Sequence, residues 1–232
     1  MKTILIIIIL FISFNLYSQN DSLISFGQKI KFSNYTVIFD KQYKQAKIAY
    51  YILTKDMLPN YVERQNYFYY DKNYKSYKND DFKYSGFDRG HLVPSDNMQF
   101  SKKSMKETFQ YVNITLQYPS FNRGIWKKLE NKVKNICELY DTVYIVTGPI
   151  FDINSYNNKY IIPKSFFKVL LYKKNGIYYT KGYIIPNFKL KRLYKKLKDY
   201  TYSVNFIEFL TGYDFFPFLN DNIEEKTEKN IK

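Results

Sequence analysis

Gly86-Phe87-Asp88-Arg89-Gly90-His91-Leu92-Val93-Pro94-Ser95 contains the only histidine of the chain. A side chain that exchanges a proton near neutral pH therefore exists at one place only. Beside it stand an acid, a permanent cation and two glycines that let the backbone come close to a ligand. Such a combination reads as a site rather than a core segment.

Asp88-Arg89-Gly90-His91 followed by Pro94 resembles the DRGH signature of the DNA/RNA non-specific endonucleases, the ββα-metal nucleases. Four residues are a short match, and the surrounding chain supplies context. Tyr111-Val112-Asn113-Ile114-Thr115-Leu116-Gln117 resembles the family segment that places an asparagine near the active site, with Leu116 where proline is usual. Phe121-Asn122-Arg123-Gly124-Ile125-Trp126-Lys127-Lys128-Leu129-Glu130 is similar to the family's asparagine, tryptophan and leucine-glutamate pattern, in the same order. Arg64, followed by Tyr67 or Phe68 and by Asp71, fits the family's arginine, aromatic and acid. Val143 to Val146, running into Thr147-Gly148-Pro149, looks like a family strand and turn. The resemblance spans Tyr35 to Leu219.

The resemblance implies an α+β fold of the ββα-metal (His-Me finger) type, with a central mixed or antiparallel sheet and helices packed on it. It implies a sugar-non-specific endonuclease acting on the phosphate backbone of DNA and RNA. Its cofactor would be a single Mg²⁺, with Mn²⁺ a possible substitute. His91 is the expected general base and Asn122 the direct metal ligand. Glu130 orders the metal's waters, and Arg89 stabilises charge on the phosphate with Arg64 as a helper. Asp88 and Asn113 take supporting roles, orienting the signature loop, the imidazole or the metal helix. Asn122 and Glu130 are eight positions apart, roughly 12 Å of rise on a straight helix. If both serve one ion, Asn122 lies at or before the helix start and Glu130 leans back toward it. Read alone, Asn122 is equally an N-terminal cap and Glu130 an exposed acid paired with Lys134.

Composition agrees with this reading without deciding it. Thirty-six Lys and Arg against 21 Asp and Glu give a net charge of +15, which favours polyanionic partners through counterion release. A biased composition rich in Lys, Asn, Ile and Tyr gives the same balance. Met1-Lys2-Thr3, the apolar run Ile4 to Phe14 and the polar exit ending near Ser18 read as a signal peptide over residues 1–18. About twenty apolar residues are needed to span a bilayer, so the run is too short for an anchor. An exported chain, secreted or periplasmic, with no stable membrane association after cleavage, is expected. The one cysteine, Cys137, allows no internal disulfide. One endonuclease domain is expected over residues 19–220, followed by a charged, disordered tail over 221–232.

Local patterns predict paired strands at Tyr35–Phe39 and Lys47–Leu53, and a helix over Lys102–Phe109 capped by Ser101. A core-facing helix runs from about Ile125 to Leu139, carried by Trp126, Leu129, Val133 and Ile136. Lys173-Lys174-Asn175-Gly176 turns a hairpin. Residues 65–84 read as a long surface loop, Leu190–Tyr200 as a basic amphipathic stretch, and Val204–Leu210 as a short helix. Two other functions fit part of these features. A non-catalytic secreted nucleic-acid-binding module would use the charge and aromatics alone, and a related metal phosphodiesterase would act on small nucleotides. Neither sugar preference nor a protein inhibitor can be read from these residues.

Overall fold

The computed structural model describes residues 27–152, 155–157, 159–189 and 196–229. The expected leader and most of the basic stretch beginning at Leu190 lie outside them. The chain opens with β1 (Gln28–Lys31), β2 (Tyr35–Asp40) and β3 (Gln45–Thr54). A long irregular segment carrying the short helix α1 (Asn79–Phe82) leads to β4 (Asp88–His91), α2 (Lys102–Thr108), β5 (Ile114–Gln117) and α3 (Lys127–Tyr140). Then come β6 (Thr142–Ile150), the small pair β7 (Tyr156–Asn157) and β8 (Tyr160–Ile161), β9 (Ser165–Lys174), β10 (Ile177–Pro186) and β11 (Thr201–Tyr202). The helices α4 (Val204–Thr211) and α5 (Asp221–Glu228) close the described chain.

A seven-stranded sheet in the order β1-β2-β3-β6-β9-β10-β11 forms the centre, and each of its pairings is antiparallel. Alternation along β9 shows how both faces are covered. Phe166, Leu170 and Tyr172 pack with Trp126, Leu129, Val133 and Ile136 of the α3 side. Phe167, Val169 and Leu171 pack with Val204, Ile207, Phe215 and Leu219 of the α4 side. Each large apolar side chain so buried contributes about 1.5–3 kcal/mol. Tight turn geometry fixes the β9–β10 register, with Asn175 and Gly176 both at positive φ (49° and 81°), as a two-residue hairpin of this hand requires.

Three expectations are corrected here. Thr147-Gly148-Pro149 is not a turn but the continuation of β6, paired with Lys168, Phe167 and Phe166 of β9. The regular part of the core-facing helix expected from about Ile125 starts at Lys127; before it, Phe121–Trp126 form a wide turn broken at Gly124 (φ −102°, ψ −106°). The tail beyond Asn220 is not disordered over its first eight residues. Asn220 caps α5 by accepting from the Asn222 N–H at 3.1 Å, and the Thr180 hydroxyl of β10 donates to the Thr227 carbonyl at 2.8 Å. Capping and docking on the sheet supply what a charged composition withholds.

Residues 65–84 lack regular structure apart from α1, yet they are more than a surface loop. Tyr77 and Phe82 are buried in a third cluster with Tyr111, Ile114, Leu116 and Tyr160. Among the described residues no helix is long and apolar enough to cross a membrane.

Candidate active site

The signature occupies β4, paired antiparallel with β5 so that Asp88, Arg89, Gly90 and His91 face Gln117, Leu116, Thr115 and Ile114. A side chain at Gly90 would put its Cβ 2.2 Å from the Gln117 side chain, which would have to move aside to admit it. Leu116, standing where the family has proline, donates its N–H to the Gln45 side-chain carbonyl at 3.0 Å, a bond proline lacks. Asn113 is fully buried with both ends of its amide engaged. Its Oδ1 accepts from the Val93 N–H at 3.0 Å, and its Nδ2 donates to the Val93 and Thr108 carbonyls at 3.0 and 2.9 Å. It splints the chain just beyond His91, and its burial keeps it out of a substrate's reach.

His91 is 8% exposed, its ring between Phe68 (centroids 5.6 Å apart) and Phe109 (4.9 Å). Burial, helped by the positive charges of Arg64 and Arg89, pushes its pKa down to about 3; Asp96 and a bond to the Arg89 backbone act in the opposite sense. The imidazole is thus neutral at neutral pH, and its Nε2 has no hydrogen-bond partner. Arg89 stacks on Phe68, guanidinium carbon 4.2 Å from the ring centroid, and one Nη donates to Asn79 Oδ1 at 3.1 Å.

Asp88 holds two neighbours from the turn before α3. It accepts from Asn122 Nδ2 at 2.9 Å and from Arg123 Nε and Nη2 at 2.8 and 2.6 Å. Tying the Asn122 amide nitrogen to a carboxylate fixes which end of that amide is left over, the carbonyl oxygen. Arg64 donates to Ser95 Oγ and to Asp96 Oδ1 at 3.3 Å through a single Nη, leaving its other donors unused by these contacts. Lys127 also donates to Asp96. Burial opposes ionisation of Asp96, but the Lys127 bond and the charges of Lys127, Lys134 and Arg64 hold its carboxyl below the ordinary range.

Arg64, Asp88, Arg89 and Asn122 line one cleft of about 480 Å³, together with Phe68, Phe109 and Lys83. His91, Asn113 and Glu130 are not in that lining. Glu130 is half-buried on the first turn of α3, and burial raises its pKa against the opposing charges of Lys168 and Lys127.

The family model described as DNA/RNA non-specific endonuclease matches residues 17–222. The chain belongs to this family. The mitochondrial endonuclease G of Bos taurus is 33% identical over 153 residues, which is 60% of this chain and 51% of that protein. A nuclease of Nostoc sp. is 31% identical over 157 residues, 63% of this chain and 57% of the relative. The chain thus spans about half the length of the curated relatives it matches. A solved EndoG/EndoGI complex shares the fold, with a TM-score of 0.76, 23% identity and coverage of 84% of this chain and 87% of the other.

The donor set fits a hard divalent cation: the Asn122 amide carbonyl, left over once Asp88 ties the nitrogen, is an oxygen ligand of the kind such ions take. Among the described residues the one cluster of three acids is elsewhere, Glu208, Glu224 and Glu228 on α4 and α5.

Sequence reasoning passed over Arg123 and Lys168. Arg123 stands next to Asn122, and only the tertiary approach of β4 to the α3 turn makes it a partner of Asp88. Lys168 has no signal in a strand of apolar residues. It is fully buried, its Nζ 4.6 Å from the Trp126 ring centroid and without a hydrogen-bond partner, and burial pushes its pKa down to about 8 against the pull of Glu130. Glu130 is the charge that opposes this lowering.

Proposed function

We propose that the chain is an exported, Mg²⁺-dependent, sugar-non-specific endonuclease that hydrolyses phosphodiester bonds of DNA and RNA. The observation that carries this is a buried, neutral imidazole beside a cleft in which two arginines and a pre-set amide carbonyl converge. The apolar run Ile4 to Phe14 supports export.

A phosphodiester resists attack because its charge repels nucleophiles and its leaving alkoxide is poor. His91, with Nε2 unpartnered, accepts the proton of the attacking water. Its depressed pKa keeps it in the base form throughout the neutral range, at the cost of proton affinity. Arg89, braced by Phe68 and Asn79, presents its remaining donors to the phosphate oxygens; Arg64 does the same from Ser95 and Asp96. Asp88 holds Asn122 so that its carbonyl points one way; Asn122 would hold the ion directly and Glu130 would order its waters. A bound divalent cation supplies charge neutralisation at the phosphate and the leaving oxygen. Every group acts on phosphate, ion or water, so recognition runs through the backbone and ignores base identity.

The test is nicking of supercoiled plasmid and of structured RNA by protein lacking residues 1–18, with Mg²⁺ or EDTA. Metal-dependent cleavage of both substrates is expected. Retardation of both nucleic acids on a gel without cleavage under any divalent ion would replace the enzyme with a binding module.

A further inference from the structure

We propose that Glu208 of α4, with Glu224 and Glu228 of α5, forms a Ca²⁺ site that fastens the last described helix to the rest of the fold. Helix α4 packs on the sheet face opposite α3, so the site stands apart from the cleft and its chemistry.

One carboxylate oxygen from each of the three side chains lies within 4.8 Å of the other two. Ca²⁺ takes oxygen ligands at about 2.3–2.6 Å, so a single ion can bridge oxygens up to roughly 5 Å apart. Acids gathered on a surface are common without an ion, and the state of Glu228 is what sets this group apart. The residue is 1% exposed, and its Oε1 has no hydrogen-bond partner. Buried polar oxygens are rarely left in that condition. Its place is fixed from both sides. The Thr180 hydroxyl of β10 holds the neighbouring Thr227 carbonyl at 2.8 Å, and the Phe215 N–H donates to Glu208 Oε1 at 2.7 Å, orienting the facing carboxylate.

The surroundings lack a cation of their own kind. Besides burial, the charges that act most strongly on Glu228 are Glu208, Glu224 and Asp214, all of them acids, in a chain that carries 36 Lys and Arg. Glu224 and Glu228 stand four residues apart on one helix, where like charges repel, and Glu228 ends α5, where the helix dipole is negative. A divalent cation offsets all three effects and gives Glu228 Oε1 a partner. Without the ion, a hydrogen bond between Glu228 and Glu208 keeps a proton there; binding releases that proton and puts the metal in its place. Mg²⁺ demands near-ideal octahedral geometry and keeps several waters, for which the buried Glu228 leaves little room. Ca²⁺ accepts an irregular shell in which a carboxylate binds through one oxygen or both.

Amide exchange of α5 at one neutral pH tests the site without calling on catalysis, using the whole chain stripped with EDTA and returned to buffer alone, to CaCl₂ or to MgCl₂. With a dissociation constant of about 10⁻⁴–10⁻³ M, as for extracellular Ca²⁺ modules, about 10 mM Ca²⁺ is expected to slow α5 exchange roughly 10- to 100-fold. Mg²⁺ is expected to change it less than about twofold. Glu228→Gln and Glu224→Gln should each abolish the Ca²⁺ effect while leaving α5 at least as protected without the ion as in the wild type, because glutamine removes a repelling charge and keeps the side chain's shape. Glu224 is half-buried, so its variant serves if the buried substitution disturbs the helix. Exchange of α5 that ignores Ca²⁺, slowing by Mg²⁺ equal to that by Ca²⁺, or a Ca²⁺ effect that survives both substitutions overturns the proposal.

Discussion

His91 and Glu228 are both buried ionisable groups held neutral, on opposite sides of the central sheet, and they answer pH in opposite directions. Burial disfavours whichever form carries charge. For the histidine that is the protonated form, and its pKa falls to about 3. For Glu228 it is the deprotonated form, and burial together with Glu208, Glu224 and Asp214 pushes the pKa up to about 9. The active-site side surrounds its carboxylates with cations, Arg123 on Asp88 and Lys127 with Arg64 on Asp96. The α4–α5 side sets carboxyls against one another. Residue type alone distinguishes neither environment; the company each group keeps does.

Replacing His91 by Ala breaks the comparison most severely. It should lower the plasmid-nicking rate by about 10²- to 10⁴-fold, the usual worth of a general base, whereas Glu228→Gln should leave the rate at the wild-type level. Equal losses in the two variants would show that α5 belongs to the catalytic unit. Next in size is Asn113→Ala. It removes three buried hydrogen bonds and strands the Val93 and Thr108 backbone groups. A loss of about 3 kcal/mol in urea denaturation is expected, with activity lost alongside because the chain beyond His91 loses its splint.

Smaller and directional is the pH response. The depressed histidine contributes stability that is present above about pH 6.5 and lost as pH falls through about 3. The raised glutamate contributes stability that is present below about 4.5 and lost as pH rises through about 9. Amide exchange, corrected for its intrinsic pH dependence, should therefore show α5 loosening from mildly acid to alkaline pH. Glu228→Gln should flatten that trend, while the β4–β5 pair loosens only on the acid side. Loosening of α5 in acid would contradict the assigned direction.

Features with a local cause were legible from the sequence. Asn175-Gly176 announces its own turn and Ser101 its helix, whereas Asp88–His91, which reads as a loop, is the strand β4. What escaped depends on contacts between distant segments. Lys168 looks like an ordinary strand lysine until β9 is covered on both faces. Arg123 becomes a partner of Asp88 only when β4 approaches the turn before α3. The helical start at Lys127 hides behind an apolar pattern that already begins at Ile125, because Gly124 breaks the backbone and leaves the pattern intact. The charged α5 needed both its Asn220 cap and a place to dock on β10, and composition reports neither.

Two helix caps, one on each side of the sheet, give the finest test. Ser101 Oγ accepts from the Ser104 N–H at 3.4 Å at the start of α2, and Ser203 Oγ accepts from the Phe206 N–H at 3.3 Å at the start of α4. The two bonds are similar in length, so Ser101→Ala and Ser203→Ala should each cost about 1 kcal/mol or less in urea denaturation. Their functional effects should differ. Helix α2 ends at Thr108, whose carbonyl accepts from Asn113, and Asn113 in turn holds the chain next to His91. Fraying α2 therefore reaches the imidazole through two hydrogen bonds, while α4 leads only to the Glu208 cluster. Ser101→Ala should lower the nicking rate severalfold and Ser203→Ala should not; equal rates at equal loss of stability would show that the path from α2 to His91 is too stiff to carry the strain.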